Sequence, residues 1–152
     1  MTYCVATYLN EGLVFTSDSR TNAGIDNVST YSKMHIFQTN PDRFLVLMSA
    51  GNLGTTQGVI QQLRRDILED KPHNLNTLDY LADVADYIGE TLVSRIRRHA
   101  EGTGFMPDAT LILGGQIVGR PHNLYMIYPQ GNYITTSEGT PYLQIGESKY
   151  GK

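Results

Sequence analysis

The chain opens with two short apolar segments separated by turn residues. Residues 2–9 and 13–17 are rich in Val, Tyr, Thr and Phe, and Asn10-Glu11-Gly12 lies between them. Glycine supplies the unusual backbone dihedral of a tight turn, so this pattern predicts a β-hairpin. The residues that follow, 18–32, are small and polar and predict a connecting segment.

A second hairpin is predicted from residues 33–38 and 43–50, which flank the turn sequence Asn40-Pro41-Asp42. Residues 44–48 are apolar at every position rather than at every second one. Such a strand has both of its faces covered. We therefore expect the sheet that contains it to lie between two other layers.

The apolar period then lengthens to that of amphipathic helices, over residues 54–70 and again over residues 76–100. Pro72 should end the first helix, and Asn76 or Thr77 can cap the second. The apolar face of the second helix comprises Leu78, Leu81, Val84, Ala85, Ile88, Leu92 and Ile96. We expect the two helices to pack antiparallel to each other.

Three more strands are predicted, at residues 109–113, 123–128 and 133–136. Runs of strands interrupted by a pair of helices are typical of α+β layering rather than of alternating βαβ units. The last stretch, residues 142–152, resembles the start of another helix. Because a domain seldom stops inside an element, we expect either further chain or a partner to complete the core.

The composition indicates one domain, residues 1–152, with 40% hydrophobic residues. A net charge of −3 without a long Lys/Arg run predicts no nucleic-acid partner. The apolar runs are strand-sized and the N-terminus does not resemble a signal peptide, which predicts a cytoplasmic protein with no membrane partner. Cys4 is the only cysteine, so an internal disulfide is excluded.

No metal or other cofactor is expected. The four histidines, His35, His73, His99 and His122, do not have the spacing of a zinc motif. The glycine pairs near residues 102–104 and 114–115 lack the lysine of a phosphate-binding loop. We interpret the histidines as surface or strand residues and the glycines as turn residues.

Thr2 is the first candidate for chemistry, because removal of Met1 would place a hydroxyl and an α-amine on one residue. A hydroxyl is a weak nucleophile until a base takes its proton, and a neighbouring N-terminal amine can be that base. The pKa of a model α-amine is about 7.7–8.0, so part of it is neutral near pH 7. Most Met-Thr starts carry no such function, and the interpretation depends on the residues downstream.

Four features accompany Thr2: Asp18 after the second strand, Arg20, Lys33 at the start of the third strand, and Ala50-Gly51 where a strand meets a helix. This combination resembles the proteasome β-type subunits, which are N-terminal nucleophile hydrolases. More closely, the chain resembles the Anbu family of bacterial proteasome homologues. The matching segments are Met1-Thr2-Tyr3-Cys4-Val5-Ala6, residues 16–24, Lys33-Met34 and residues 144–152.

The resemblance implies a four-layer αββα sandwich with the two predicted helices in one outer layer. It also implies that Thr2 is the nucleophile and that Lys33 is a buried ammonium beside it, which would favour the neutral amine and the deprotonated hydroxyl. Asp18 would hold Lys33, and the backbone N–H of Gly51 would bind the oxyanion. Taken singly, Asp18 and Lys33 could equally be an ordinary ion pair, and Gly51 a glycine at the start of a helix.

Further site residues follow from the same resemblance. Arg20, Thr21, Tyr31 and Ser49 are candidate walls of a substrate pocket. Near the end of the chain, Ser148 is a candidate for the late catalytic serine of the classical subunits, or Glu147 takes its place. The family's remaining catalytic residues lie in a C-terminal part that the chain does not contain, so the domain is expected to be incomplete there.

The implied function is that of a threonine-type endopeptidase acting on peptide or protein substrates, inactive while Met1 is retained. The alternative is a non-catalytic, self-assembling scaffold or peptide-binding subunit with a vestigial site. Like subunits are expected to form a ring or spiral larger than a dimer. Surplus apolar and aromatic residues of the second helix, Tyr80, Tyr87, Leu92 and Val93, are a second reason to expect an interface.

Overall fold

A computed structural model describes residues 2–22, 28–38 and 40–147. The strands are β1 (Tyr3–Leu9), β2 (Gly12–Ser17), β3 (Arg20–Asn22), β4 (Val28–Thr30), β5 (Met34–Phe37), β6 (Arg43–Gly51), β7 (Ala109–Ile117), β8 (Asn123–Ile127), β9 (Tyr133–Thr135) and β10 (Tyr142–Gly146). The helices are α1 (Leu53–Leu68) and α2 (Leu81–Ala100).

The strands form two facing antiparallel sheets. One sheet has the order β10-β1-β2 and the other the order β5-β6-β7-β8-β9, while β3 and β4 pair separately. The two hairpins predicted from the sequence are thus confirmed as β1-β2 and β5-β6. The polar segment between them contains the short β3-β4 pair, which its composition did not predict.

The central strand β6 contributes to two separate cores. Leu45 and Leu47 pack with the helices, whereas Val46 and Met48 pack against the three-stranded sheet. Successive side chains of a strand point to opposite faces, so a strand between two layers must be apolar at every position. This confirms the expectation of a covered sheet, except that Phe44 at the start of the run is 42% exposed.

Both helices lie on the same face of the five-stranded sheet, as the sequence predicts. They run antiparallel, since hydrogen bonds join Thr55 to His99 near one end and Asp66 to Tyr87 near the other. The described residues therefore form three layers, a helix pair and two sheets, in an α+β arrangement. In this part of the chain no helix lies on the outer face of the three-stranded sheet.

The second helix begins at Leu81 rather than at residue 76, and its N-cap is Tyr80 instead of Asn76 or Thr77. The preceding segment uses its polar groups otherwise: the Thr77 hydroxyl donates to the Pro72 carbonyl over 2.9 Å. The buried guanidinium of Arg43 binds the carbonyls of Leu75 and Leu78 at 3.0 and 2.6 Å. Carbonyls engaged by a side chain from β6 support a loop instead of a first helical turn.

The expectation of a helix starting at residue 142 is wrong. Tyr142–Gly146 is strand β10, which pairs with β1 so that Gly146 lies opposite Tyr3. Leu143 and Ile145 are buried while Tyr142 and Gly146 are exposed, which is the period of a strand. Only the three residues from Leu143 to Ile145 carry this alternation, and it was too short to be recognised without its partner strand.

The predicted apolar surplus on α2 is also wrong in part. Leu92 is fully buried in the core, and the hydroxyl of Tyr87 donates to Asp66 of α1. Tyr80 is 53% exposed and its ring lies under the Arg120 guanidinium, 3.8 Å from the ring centroid. The two residues Leu92 and Tyr87 belong to packing within the chain and leave no apolar surface for a partner.

Candidate active site

The start of β1 is attached to the residue that follows β2. Asp18 Oδ1 accepts a hydrogen bond from the Tyr3 N–H over 3.0 Å, and the Asp18 N–H donates to the Tyr3 carbonyl over 3.1 Å. The same Oδ1 lies 2.9 Å from the Nζ of Lys33, whose side chain is only 6% exposed. One carboxylate oxygen therefore joins the residue next to Thr2 to a buried ammonium.

The Asp18 carboxylate is held in its ionised form. Partial burial by itself would raise the pKa of Asp18, but the hydrogen bonds from Lys33 and from the Tyr3 N–H outweigh this effect and place the pKa below its ordinary value. The group thus remains a counter-charge for Lys33 at neutral and mildly acidic pH. This is the pairing that the sequence resemblance assigned to these two residues.

Lys33 is fixed by its backbone as well as by its side chain. Its carbonyl accepts the Ser49 N–H over 3.0 Å, which ties the residue to the end of β6. The Ser49 carbonyl lies 3.9 Å from the Cys4 sulfur, so β1 and β6 also meet here. Burial, and then the charge of Asp18, raise the pKa of the Cys4 thiol to about 12, consistent with a core residue and not a nucleophile.

Gly51 ends β6 in a conformation that requires glycine. Its φ is 109°, and a Cβ added there would lie 2.3 Å from the Asp108 carbonyl oxygen. The next residue, Asn52, donates its N–H to that same carbonyl over 2.7 Å and caps α1 by accepting the Thr55 N–H over 3.0 Å. The strand-to-helix turn after β6 is therefore close-packed against the start of β7.

Thr2 itself is held from the other side by the end of β10. The Glu147 N–H donates to the Thr2 carbonyl over 2.7 Å. Gly146 has a φ of 94°, and a Cβ there would lie 1.9 Å from the same carbonyl oxygen, so glycine is required for the close approach. The segment Gly146-Glu147 thus reaches the candidate nucleophile, as expected for the late site residues of this chain.

Two cavities meet at Thr2, Ala50 and Gly51. A narrow one of about 30 Å³ is also lined by Ser32, Lys33, His35, Ser49, Thr56 and Gln57. A wide, open one of about 560 Å³ is also lined by Asp108, Thr110, Met126, Tyr128, Gln144 and Glu147. Thr2 consequently lies between a small polar recess on the Lys33 side and a broad cleft between the two sheets.

The structure brings most of the sequence-predicted site together. Thr2, Lys33, Ser49 and Gly51 line the narrow cavity, and Asp18 is one hydrogen bond away from it. Tyr31 lines neither of these two cavities and is 38% exposed. The backbones of Arg20 and Thr21 pair with Thr30 and Ser29 in β3-β4. Ser148 lies outside the described residues.

Several lining residues were missed by sequence reasoning. His35, Thr56 and Gln57 line the narrow cavity, and burial followed by the charge of Arg64 lowers the pKa of His35. Their signal was available, because His35 follows Lys33 by two residues in a strand and Thr56 lies in the first turn after Gly51. Asp108 and Tyr128 carry no local signal, since only the pairing of β6 with β7 and of β7 with β8 brings them near Thr2.

No group of three or more His, Cys, Asp or Glu side chains among the described residues is placed to hold a metal ion. Within the same part of the chain, neither helix has the length and apolar character needed to cross a membrane.

Comparison with known proteins gives matches among solved structures. No family model matches the chain. No curated protein matches it either. Anbu (ancestral β-subunit) from Yersinia bercovieri is 49% identical with a TM-score of 0.91, and the match covers 99% of this chain and 63% of that one. Anbu from Hyphomicrobium sp. strain MC1 is 38% identical with a TM-score of 0.84, covering 98% and 62%.

A third match is a helical assembly of the Anbu complex from Pseudomonas aeruginosa, 45% identical with a TM-score of 0.89 over 98% of this chain and 62% of that one. The chain thus spans somewhat less than two thirds of the length of these relatives. Identity of 38–49% over nearly the whole chain, with the same fold, goes well beyond a shared architecture. The chain belongs to the Anbu family of proteasome-related β-subunits.

Proposed function

We propose that the protein is a threonine-type amide hydrolase whose nucleophile is Thr2 after removal of Met1. The observation that carries the proposal is the shared use of Asp18 Oδ1 by the Tyr3 N–H and by the buried Lys33 ammonium, at 3.0 and 2.9 Å. A cation is thereby fixed at the wall of the cavity that Thr2 lines. Buried charges and ionised carboxylates grouped in a cleft are more common at functional sites than elsewhere.

The chemistry follows from these positions. The Thr2 hydroxyl oxygen attacks the carbonyl carbon of a peptide bond, and its proton passes to the Thr2 α-amine. The C–N bond breaks, the amine returns the proton to the departing amide nitrogen, and an ester on Thr2 remains. A water molecule, deprotonated by the same amine, then hydrolyses that ester and regenerates the hydroxyl.

Lys33 and Gly51 have supporting roles in this scheme. The Lys33 ammonium disfavours protonation of the nearby α-amine and stabilises the alkoxide that develops on Thr2. The backbone N–H of Gly51 binds the oxyanion of the tetrahedral intermediate, and the loss of one such donor typically costs about 10²–10³ in rate. The Glu147 segment, held against Thr2 by a 2.7 Å hydrogen bond, places residue 148 close to the reaction for its proposed role.

The two cavities suggest how a substrate would lie. The narrow recess has polar walls in Ser49, Thr56 and Gln57, and its volume of about 30 Å³ suits a small side chain. The open cleft of about 560 Å³ on the other side has room for the continuing peptide. Ser49 is therefore the pocket residue with the most direct support, while Arg20, Thr21 and Tyr31 remain predictions from the family resemblance.

The experiment that tests the proposal is covalent labelling of Thr2. Intact mass of the protein isolated from cells should show loss of Met1, and an electrophilic peptide probe should add once, at Thr2. A Thr2→Ala variant should not be labelled, whereas Thr16→Ala, which changes an exposed threonine of β2, should react like the wild type. Quantitative retention of Met1, or a processed protein that gives no adduct, would exclude the hydrolase function.

A second candidate is a non-catalytic scaffold that assembles from like subunits and keeps the site for structural reasons. The observation that favours it is the helical assembly formed by the 45% identical protein from Pseudomonas aeruginosa. Assembly and catalysis are compatible, so this candidate replaces the first one only if labelling fails. Head-to-tail contacts between copies would give a ring or a spiral.

The remaining structural proposal concerns the layers and the compartment. Leu9, Val14 and Tyr142 lie on or beside the three-stranded sheet and are 46%, 49% and 45% exposed. We infer that a further helix layer covers the outer face of this sheet in the complete protein, giving the αββα sandwich. A cytoplasmic location remains a prediction, which cell fractionation would test.

A further inference from the structure

A buried threonine connects the turn after Gly51 to the far helix. Thr55, in the first turn of α1, is 0% exposed. Its N–H and hydroxyl lie 3.0 and 3.2 Å from Asn52 Oδ1, and the hydroxyl also lies 2.9 Å from Nδ1 of His99. A hydroxyl donates one proton and accepts others, so Asn52, Thr55 and His99 form one continuous hydrogen-bonded chain.

His99 comes from an element that reaches Gly51 a second time. It lies in the last turn of α2, and nine residues later the Asp108 carbonyl accepts the Asn52 N–H over 2.7 Å. The connection from α2 to β7 therefore holds the turn after Gly51 at both of its ends. His99 does so through Thr55, and Asp108 does so directly.

The position held in this way is one where small movements matter. Gly51 has a φ of 109° and lies so close to the Asp108 carbonyl that a Cβ would overlap it. An oxyanion donor acts only when its N–H is about 2.7–3.1 Å from the developing charge. A displacement of about 1 Å in such a site can lower a rate by about a hundredfold.

We propose that His99 is a positioning residue for the candidate oxyanion site. From α2 it fixes Asn52 through Thr55, and thereby fixes the direction of the Gly51 backbone. The inference rests on the proposed hydrolase function, because positioning has a kinetic effect only if Gly51 binds an oxyanion. It also predicts a purely structural effect that does not depend on catalysis.

Two substitutions separate the hydrogen bond from the rest of the side chain. His99→Leu keeps bulk at an exposed helix end but removes the contact with Thr55, so the fold should persist. His99→Asn places a polar atom near the position of Nδ1 and should restore the contact. His73→Leu is the matched control, since His73 is an exposed histidine of the segment between the helices.

The structural measurement is amide hydrogen exchange of Asn52 and Thr55. Both amides should exchange about fivefold faster in His99→Leu, the change expected for loss of one hydrogen bond from a local opening. Exchange should return to the wild-type rate in His99→Asn and stay unchanged in His73→Leu. Unchanged exchange in His99→Leu, or an Asn variant that behaves like Leu, would overturn the proposal.

The kinetic measurement is labelling of Thr2 by the peptide probe. His99→Leu should lower the limiting rate of acylation about tenfold, a fraction of the effect of losing an oxyanion donor, without changing the probe concentration that gives half of that rate. His99→Asn should recover the rate. If the wild type is not labelled, the hydrolase function fails, and the exchange result alone decides on positioning. Normal labelling of His99→Leu beside a labelled wild type would overturn the kinetic role.

Discussion

At the residue scale, the candidate site depends on one carboxylate. Asp18 is 38% exposed by its side chain, yet its Oδ1 serves both a backbone N–H and a buried ammonium. Lys33, in contrast, is nearly inaccessible to solvent, and a buried cation without a counter-charge is strongly unfavourable. The two residues are thus unequal partners, and substitutions of each should have different consequences.

Lys33→Ala should reduce acylation of Thr2 by at least about 100-fold, the lower limit for a group that assists proton transfer, with little loss of stability. Asp18→Asn should reduce acylation and also lower the free energy of unfolding by about 1–2 kcal/mol, because it leaves the ammonium buried, although partial exposure moderates the cost. Probe labelling and thermal unfolding of both variants check this prediction.

The control for this pair is Lys71→Ala. Lys71 also lies 2.9 Å from an aspartate, Asp66, but on the helix layer and outside both cavities at Thr2. It should leave acylation unchanged. Equal loss of stability in Lys33→Ala and Asp18→Asn, with acylation reduced only in proportion, would identify their contact as an ordinary ion pair.

At the scale of elements, the helix pair is joined by a second buried carboxylate. Asp66 of α1 accepts hydrogen bonds from Gln62 and from Tyr87 of α2, and pairs with Lys71 in the following turn. Gln62 in turn accepts from Arg95 of α2 over 2.7 Å. Through this network the helices are fixed in register before they pack on the sheet.

Burial alone would raise the pKa of Asp66, but its hydrogen bonds outweigh this effect and lower the pKa below its ordinary value. A lowered folded-state pKa stabilises the protein above the unfolded pKa of about 3.9, and that stability is lost as the pH falls through the folded value. Asp66→Asn should cost about 2 kcal/mol at pH 7. The difference from wild type should shrink as the pH falls below about 4.

Thermal unfolding of wild type and Asp66→Asn between pH 7 and pH 2 tests this, with an expected difference of roughly 5 °C at pH 7. Asp79→Asn, in an exposed position before α2, is the control and should differ little from wild type at any pH. A difference that stays constant down to pH 2 would show that the Asp66 charge does not contribute to the pairing of the helices.

At the scale of the whole molecule, the arguments for self-association have changed in weight. The apolar surplus of α2 is mostly internal, as Leu92 is core and Tyr87 binds Asp66. Exposed apolar side chains lie elsewhere, for example Phe105 and Met106, each 64% exposed, in the connection from α2 to β7. The helical assembly of a 45% identical relative is now the main support.

We expect a homo-oligomer larger than a dimer, because low-specificity nucleophiles of this fold are enclosed by assemblies of like subunits. Light scattering of the full-length gene product at micromolar concentration should give a mass above twice the 16.9 kDa of this chain. A Thr2→Ala variant is the control and should assemble equally. A sharp monomer peak would contradict both this expectation and much of the proposed function.

The sequence by itself determined the parts of this protein that depend on local periodicity and on short motifs. The hairpins, the two helices and the doubly covered strand β6 could be predicted, since apolar spacing reports which faces of an element are buried. The residues Thr2, Asp18, Lys33 and Gly51 could be chosen because each has a chemical role that its type and spacing suggest.

Only the tertiary structure decided the features that depend on contacts distant in sequence. Strand β10 takes its conformation from pairing with β1, and the loop before α2 takes its shape from Arg43, more than thirty residues earlier. Asp108, Tyr128 and His99 reach the site only after the strands and helices have packed. Their roles arise from non-local hydrogen bonds, and such bonds leave no periodic signal along the chain.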